Sequence, residues 1–361
     1  MTLDEAVALT RPIPADLTIP DLLDAAAWAH GTAPALRTPA GIAMTHRHLA
    51  EATRVRAAQL ASTGVGPGVP VAVLVDHEPA SVQAIIAIVR AGGCCVPLDP
   101  HWPVDRCVEL LTALQVRHLV IGTRFWQQGT AIRLRMPNVN TVMATPASRH
   151  PRSRQGRSSL PLERPHSLHA NHLRSWDTLP RSAVVAPSPS DLAYAVGATE
   201  GIRHQNLVDL LNWLNLRNEV THRDSLLQAA PLSLDLSMHD IFGVLAAGGS
   251  ILLLPDSDLA EPRQVAEALV TRAVTLWTST PTAFTAVLAA LATQSGGDRG
   301  GCGASRYRAR RFRSTRSRRC GGSSRTPSWS LWGTPPETHQ SPATKLSIAP
   351  NVASGLSSCG R

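Results

Sequence analysis

Residues 69–98 read VPVAVLVDHEPASVQAIIAIVRAGGCCVPL, and this stretch decides the fold class. Val69 to Val75 is a run rich in β-branched residues and of buried-strand length. Asp76-His77-Glu78 breaks the run, and Pro79 stands where the next element begins, a helix-start position at which proline's missing N–H costs nothing. From Ser81 to Arg90, Val82, Ile85, Ile86 and Val89 fall on one helical face. Gly92-Gly93 then stops the helix, and Cys94 to Leu98 forms the next strand. Strand, helix and strand within about thirty residues imply parallel pairing through a crossover connection. Upstream, residues 49–60 read as a helix ended by Gly64-Val65-Gly66-Pro67-Gly68. These glycines follow a helix and open a strand, the reverse of a dinucleotide-binding fingerprint.

Working outward, residues 20–143 form a first α/β region after an N-terminal segment, 1–19. Residues 144–190 form an irregular linker rich in Arg, Ser and Pro, without periodic apolar pattern. Order resumes over 191–293, with helices expected at 207–216, 237–247 and 262–271 and strands at 250–254 and 274–277. From 294 to 361 the pattern collapses into Gly, Ser, Arg, Cys and Pro, and a disordered tail is expected.

The chain has 361 residues, 43% of them apolar, and a net charge of +9. As an average, that charge suggests a nucleic-acid or anionic-membrane partner. It is concentrated in the last segment, where Arg299 to Arg325, Lys345 and Arg361 face only Asp298 and Glu337. The rest is near neutral, and nucleic acid is not the expected partner. Lys345 is the single lysine, so lysine chemistry is excluded from everything before it, including the phosphate-loop pattern G-x-x-x-x-G-K-[ST]. Cys94, Cys95, Cys107, Cys302, Cys320 and Cys359 show no C-x-x-C spacing and read as reduced thiols of a cytoplasmic protein. Neither a secretory leader nor a membrane-spanning run is expected: Val82 to Val96 is interrupted by Arg90 and Gly92-Gly93. His166, His169 and His172 are regularly spaced but lie in the linker without supporting carboxylates, so no metal site is expected there.

Two blocks carry a resemblance. The segment Val89-Arg90-Ala91-Gly92-Gly93-Cys94-Cys95-Val96-Pro97-Leu98-Asp99-Pro100 is similar to LKAGxAYVPLDP, and His101-Trp102-Pro103 with Arg106 continues it. Leu234-Asp235-Leu236-Ser237-Met238-His239-Asp240-Ile241-Phe242-Gly243, followed by Leu245-Ala246-Ala247-Gly248-Gly249, is similar to FDxSxxxIFxxLxxGG. The chain thus resembles the adenylation domains of nonribosomal peptide synthetases, among the adenylate-forming, AMP-binding enzymes. The resemblance implies the N-terminal part of that α/β fold, with layered βαβ units and mixed or parallel sheets, and without the small C-terminal subdomain. It implies ATP and Mg as cofactors, an amino acid as substrate and a peptidyl carrier protein as acceptor. It also implies that Asp235 pairs with the substrate's ammonium group and that Leu236, His239 and Thr278 line the side-chain pocket.

The departures are as specific as the matches. Where the family carries a phosphate loop with a lysine, the interval here is Ala195-Val196-Gly197-Ala198-Thr199-Glu200-Gly201-Ile202, shorter and without lysine. Gly197, Thr199 and Gly201 remain as candidates to cradle a phosphate through backbone N–H groups and a hydroxyl. No catalytic residue is assigned. The expected function is therefore that of a partial adenylating ligase whose ATP chemistry is lost or weak. The alternatives are a ligase completed by a partner chain, with Arg203 standing in for the loop lysine, and nonspecific nucleic-acid binding through the tail. The composition after residue 294 is what GC-rich coding DNA yields out of frame, and a frameshift near that codon is expected, with another disturbance between about 144 and 190.

Overall fold

The computed structural model describes residues 16–143, 173–175, 179–195, 201–233 and 236–295, and two short strands at 331–332 and 345–346. The linker histidines and most of the basic tail lie outside the described residues.

In chain order the first elements are α1 (Ile19–Ala29), β1 (Pro34–Thr38), β2 (Gly41–Thr45), α2 (His46–Ala61), β3 (Pro70–Leu74) and α3 (Pro79–Arg90). Next come β4 (Cys94–Pro97), α4 (Val104–Ala113), β5 (His118–Ile121), α5 (Trp126–Arg135), β6 (Asn140–Met143) and β7 (Leu173–Ser175). The second part brings β8 (Leu192–Tyr194), β9 (Ile202–Arg203), α6 (His204–Arg217) and β10 (Ser225–Gln228). An interrupted helix, α7, then runs through Leu236–Met238, His239–Gly243 and Val244–Ala246. It is followed by β11 (Ser250–Leu253), α8 (Asp256–Leu259), α9 (Pro262–Thr271), β12 (Leu276–Trp277), α10 (Pro281–Ser295) and the pair β13 (Leu331–Trp332) and β14 (Lys345–Leu346).

Two sheets organise the chain. A seven-stranded sheet has the order β7-β6-β5-β3-β4-β8-β9, parallel except for the terminal β8/β9 pair. A five-stranded sheet has the order β12-β10-β11-β1-β2, parallel except for β1/β2. One hydrophobic core joins Leu36 and Ile251 of the second sheet to Val71, Val73, Cys95 and Tyr194 of the first, with Ile85, Ile86 and Ile88 of α3 in the same cluster. The sequence predicts one apolar face for α3. The structure buries Ala84, Ala87 and Ile88 as well, so α3 is enclosed on every side.

The ends of α3 show why this segment folds as it does. Pro79 sits in its first turn, and Gly92 follows it at φ +82°. A Cβ at Gly92 would lie 2.9 Å from the Pro67 backbone nitrogen, so both conformation and space demand glycine. The buried Arg90 donates from Nε to Thr53 Oγ1 at 3.1 Å and pairs through Nη2 with Asp24 Oδ1 at 2.6 Å, tying α3 to α2 and α1. Burial pushes the Asp24 carboxyl up, but the hydrogen bonds and charges of Arg90 and Arg54 outweigh it and leave the pKa below the usual value.

The helix predicted over 237–247 departs from regularity. Residues His239–Gly243 form a π-helical turn. Asn215 Nδ2 of α6 donates to the Gly243 carbonyl at 2.8 Å, drawing it to a partner on another helix.

Candidate functional site

Ligands of open α/β sheets gather beyond the carboxyl ends of parallel strands. Here the carboxyl ends of both sheets come together. His77, three residues past β3, places Nδ1 2.7 Å from Asp256 Oδ1, beyond β11, and Nε2 3.1 Å from the Ala230 carbonyl, beyond β10. Gln228 Nε2 donates to the same carbonyl at 2.7 Å, and Arg124, beyond β5, reaches Asp256 Oδ2 at 3.1 Å. The bond from His77 first, and the Arg124 charge with it, hold the Asp256 carboxyl below its usual range against the opposing effect of burial. Asp76 is shifted the other way, upward, by burial and then by the neighbouring Asp256 charge, while Ser81 Oγ bonds its Oδ1 at 3.3 Å. This clamp ties the carboxyl ends of the two sheets together.

The π-helical turn of α7 stands beside the carboxyl end of β12. Thr278 follows β12 directly, and its hydroxyl donates to Asp240 Oδ1 at 2.7 Å. Asp240 is wholly buried, and its Oδ2 has no hydrogen-bond partner among the described residues. His239 Nδ1 lies 3.7 Å from Asp240 Oδ1, and the imidazole side chain remains 16% exposed. Its Nε2, and Oδ1 of Asn215, also have no partner among the described residues. A Cβ on Gly243 would come within 3.3 Å of both the His239 ring and Asn215 Oδ1, so glycine leaves the space these two polar groups share. A buried, half-satisfied carboxylate is costly, and such sites recur where a ligand or a moving group completes the bonding.

Of the residues singled out from sequence, His239 and Thr278 are thus brought together through Asp240. Asp235, Gly197 and Thr199 lie outside the described residues, as does the side chain of Leu236. Gly201 precedes β9, where a Cβ would meet Leu192 at 3.0 Å and the Tyr194 carbonyl at 3.3 Å. Arg203 donates to the Ser190 carbonyl, which holds its guanidinium at the base of the β8/β9 pair. Among the described residues no group of three or more His, Cys, Asp or Glu is arranged to hold a metal. The buried thiols are inert by environment, with burial pushing Cys94 up to about 12 and Cys95 well above its ordinary value. His204, on which the Ile19 N–H bonds at 3.2 Å, is lowered to about 4 by burial, against the charges of Asp191 and Asp21.

Asp240, Asn215, His77, Asp256 and Arg124 were not singled out from sequence. The signal for His77 was its place just past a buried parallel strand. Asp240 and Asn215 carried none, because their roles depend on contacts across long sequence separations.

The sequence matches the AMP-binding enzyme family over residues 23–332. The chain belongs to that family. Among curated relatives of this chain, pyochelin synthetase PchF of Pseudomonas aeruginosa is 29% identical over 245 residues, covering 66% of this chain and 12% of that protein. Tyrocidine synthase 3 of Brevibacillus parabrevis is 24% identical over 260 residues, covering 69% of this chain and 4% of that protein. The chain therefore spans a small part of these relatives' length. Among solved structures, a long-chain-fatty-acid CoA ligase from Rhodopseudomonas palustris superposes with TM-score 0.62 at 18% identity, covering 76% of this chain and 66% of that one. The nonribosomal peptide synthetase FmoA3, in its alpha-methyl-L-serine-AMP bound form, superposes with TM-score 0.61 at 23% identity, covering 81% and 30%. The α/β architecture of mixed and parallel sheets is thus the adenylate-forming fold, present here in part.

Proposed function

We propose that this chain is the amino-acid-recognising part of an adenylating domain, with its ATP chemistry lost or weak. The family reaction has two halves. A carboxylate attacks the α-phosphate of ATP, forming an acyl-adenylate and releasing pyrophosphate, and a carrier-protein thiol then attacks the acyl carbon, forming a thioester and releasing AMP. In this reading the crevice holds a free amino acid, Asp235 pairs with its ammonium group, and Leu236, His239 and Thr278 line its side-chain pocket. The observation that carries the recognition half is the junction of His239 and Thr278 on the buried Asp240 at the carboxyl end of β12. The loss of ATP chemistry is inferred from the lysine-free interval 195–202, where Gly197, Thr199 and Gly201 are the candidates left to meet phosphate. Stabilising developing phosphoryl charge is the main task in such a transfer, and without a lysine the loop brings no full positive charge to it.

The protein is placed in the cytoplasm in this reading, consistent with its free, buried Cys94, Cys95 and Cys107. No helix among the described residues is long and apolar enough to cross a membrane. Amino-acid-dependent exchange of labelled pyrophosphate into ATP tests the proposal. We expect no exchange above that of an Asp235→Ala variant, while calorimetry on the same preparation detects binding of a free amino acid. Exchange that depends on amino acid and disappears in Asp235→Ala would restore the ligase reading. Absence of binding by every amino acid would remove the recognition half.

A further inference from the structure

We infer that Asp240 is a positioning residue that sets which face of Thr278 the bound side chain meets, and that this face is the methyl group. The inference rests on the proposed amino-acid site and deepens it. Thr278 is half-buried and Asp240 wholly buried, so the hydroxyl that donates to Asp240 Oδ1 at 2.7 Å is turned inward, away from the crevice. A β-branched side chain has few χ1 choices. With its oxygen committed to the carboxylate, the group left to face outward from Cβ is the methyl. The π-helical turn makes this possible by bringing Asp240 against the residue that follows β12. Nε2 of the neighbouring His239 is enclosed beside Gly243 and Asn215 Oδ1, so the contact offered at this point is the Thr278 methyl. The site therefore suits a small side chain that reaches an apolar contact at Thr278.

Calorimetry on the full chain tests this with two near-isosteric pairs, serine against 2-aminobutyrate and threonine against valine. The quantity read is the ratio of affinities for the hydroxyl member over the methyl member. Asp240→Leu removes the acceptor and frees the Thr278 hydroxyl to turn outward, so the ratio should rise about three- to tenfold, the worth of one hydrogen bond. The double variant Asp240→Leu with Thr278→Val has no hydroxyl to turn, so the ratio should fall back toward that of the wild type. Asp240→Asn, which keeps an acceptor oxygen, should move the ratio less than Asp240→Leu. Structural damage alone would not be repaired by a second substitution. Should Asp240→Leu not fold, Thr278→Ser decides: loss of the methyl should weaken the methyl-bearing ligands more than the hydroxyl-bearing ones. An unchanged ratio in Asp240→Leu, no return in the double variant, or equal weakening of both members in Thr278→Ser overturns the inference while leaving amino-acid binding intact. Binding confined to amino acids outside these pairs overturns it as well. Failure of the wild type to bind any amino acid removes the underlying site and this inference together.

Discussion

At the scale of single residues, Arg90 and Asp256 show how much of this chain rests on charges placed in partly dry surroundings. Arg90 is 7% exposed and is the only group joining α1, α2 and α3 through both a carboxylate and a hydroxyl among the described residues. Arg90→Met keeps most of the apolar stem but abandons Asp24 and Thr53, and should cost about 3–5 kcal/mol of unfolding free energy in urea titrations. Asp256 lends itself to a pH experiment. Its folded pKa lies below the ordinary carboxylate value because His77 and Arg124 favour the ionised form. Its stabilising contribution is then fully present above that ordinary value, about 3.9, and is lost as pH falls through the lower folded value. The difference in stability between wild type and Asp256→Asn should accordingly be constant at neutral pH and shrink below about pH 4. A difference that grew on acidification would show that the His77 and Arg124 contacts do not form in solution.

At the scale of elements, the β3-α3-β4 unit was legible because each part of it carries a local cause. The strand has its β-branched run, the helix its proline start, and the turn a glycine whose φ of +82° no other residue adopts cheaply. Gly92→Ala should therefore destabilise by about 1–3 kcal/mol, and by more if the Pro67 backbone cannot yield to the added Cβ. Chemical denaturation would measure it, and a near-neutral result would mean that the turn adopts another conformation. The π-helical turn of α7 was not legible. Its apolar residues, Ile241, Phe242, Val244 and Leu245, have a spacing that an ordinary helix serves equally well. What opens the turn is the Asn215 amide, which lies on α6, and no local pattern reports that contact. The clamp at His77 was missed for a similar reason. Read along the chain, Asp76-His77-Glu78 is only a polar break between a strand and a helix. Its meaning appears when Ala230 and Asp256 arrive from the other sheet.

At the scale of the whole molecule, the net charge of +9 divides into a neutral first region, a basic linker over 144–190, an acidic region over 191–294 and a strongly basic last segment. Most of any attraction to nucleic acid should reside in residues 295–361 and weaken steeply with salt. Removing them should remove most retention on a DNA column at low salt without changing amino-acid binding, and unchanged retention would place the attraction elsewhere. The family match runs past residue 294, to 332, and translating the other two frames of the gene from that codon would show whether an intact adenylation sequence lies beside the present one. The order of strands has a consequence for how the chain is made. β1 pairs with β11, about 215 residues further on, and β4 with β8, about a hundred residues further on. At a synthesis rate of about 5–20 residues per second, the first of these unions waits roughly 10–40 seconds for its partner to leave the ribosome. For that interval the β1/β2 hairpin, and for about half as long the flank of β4, are bare edges on a nascent chain, open to wrong pairing until their partners arrive.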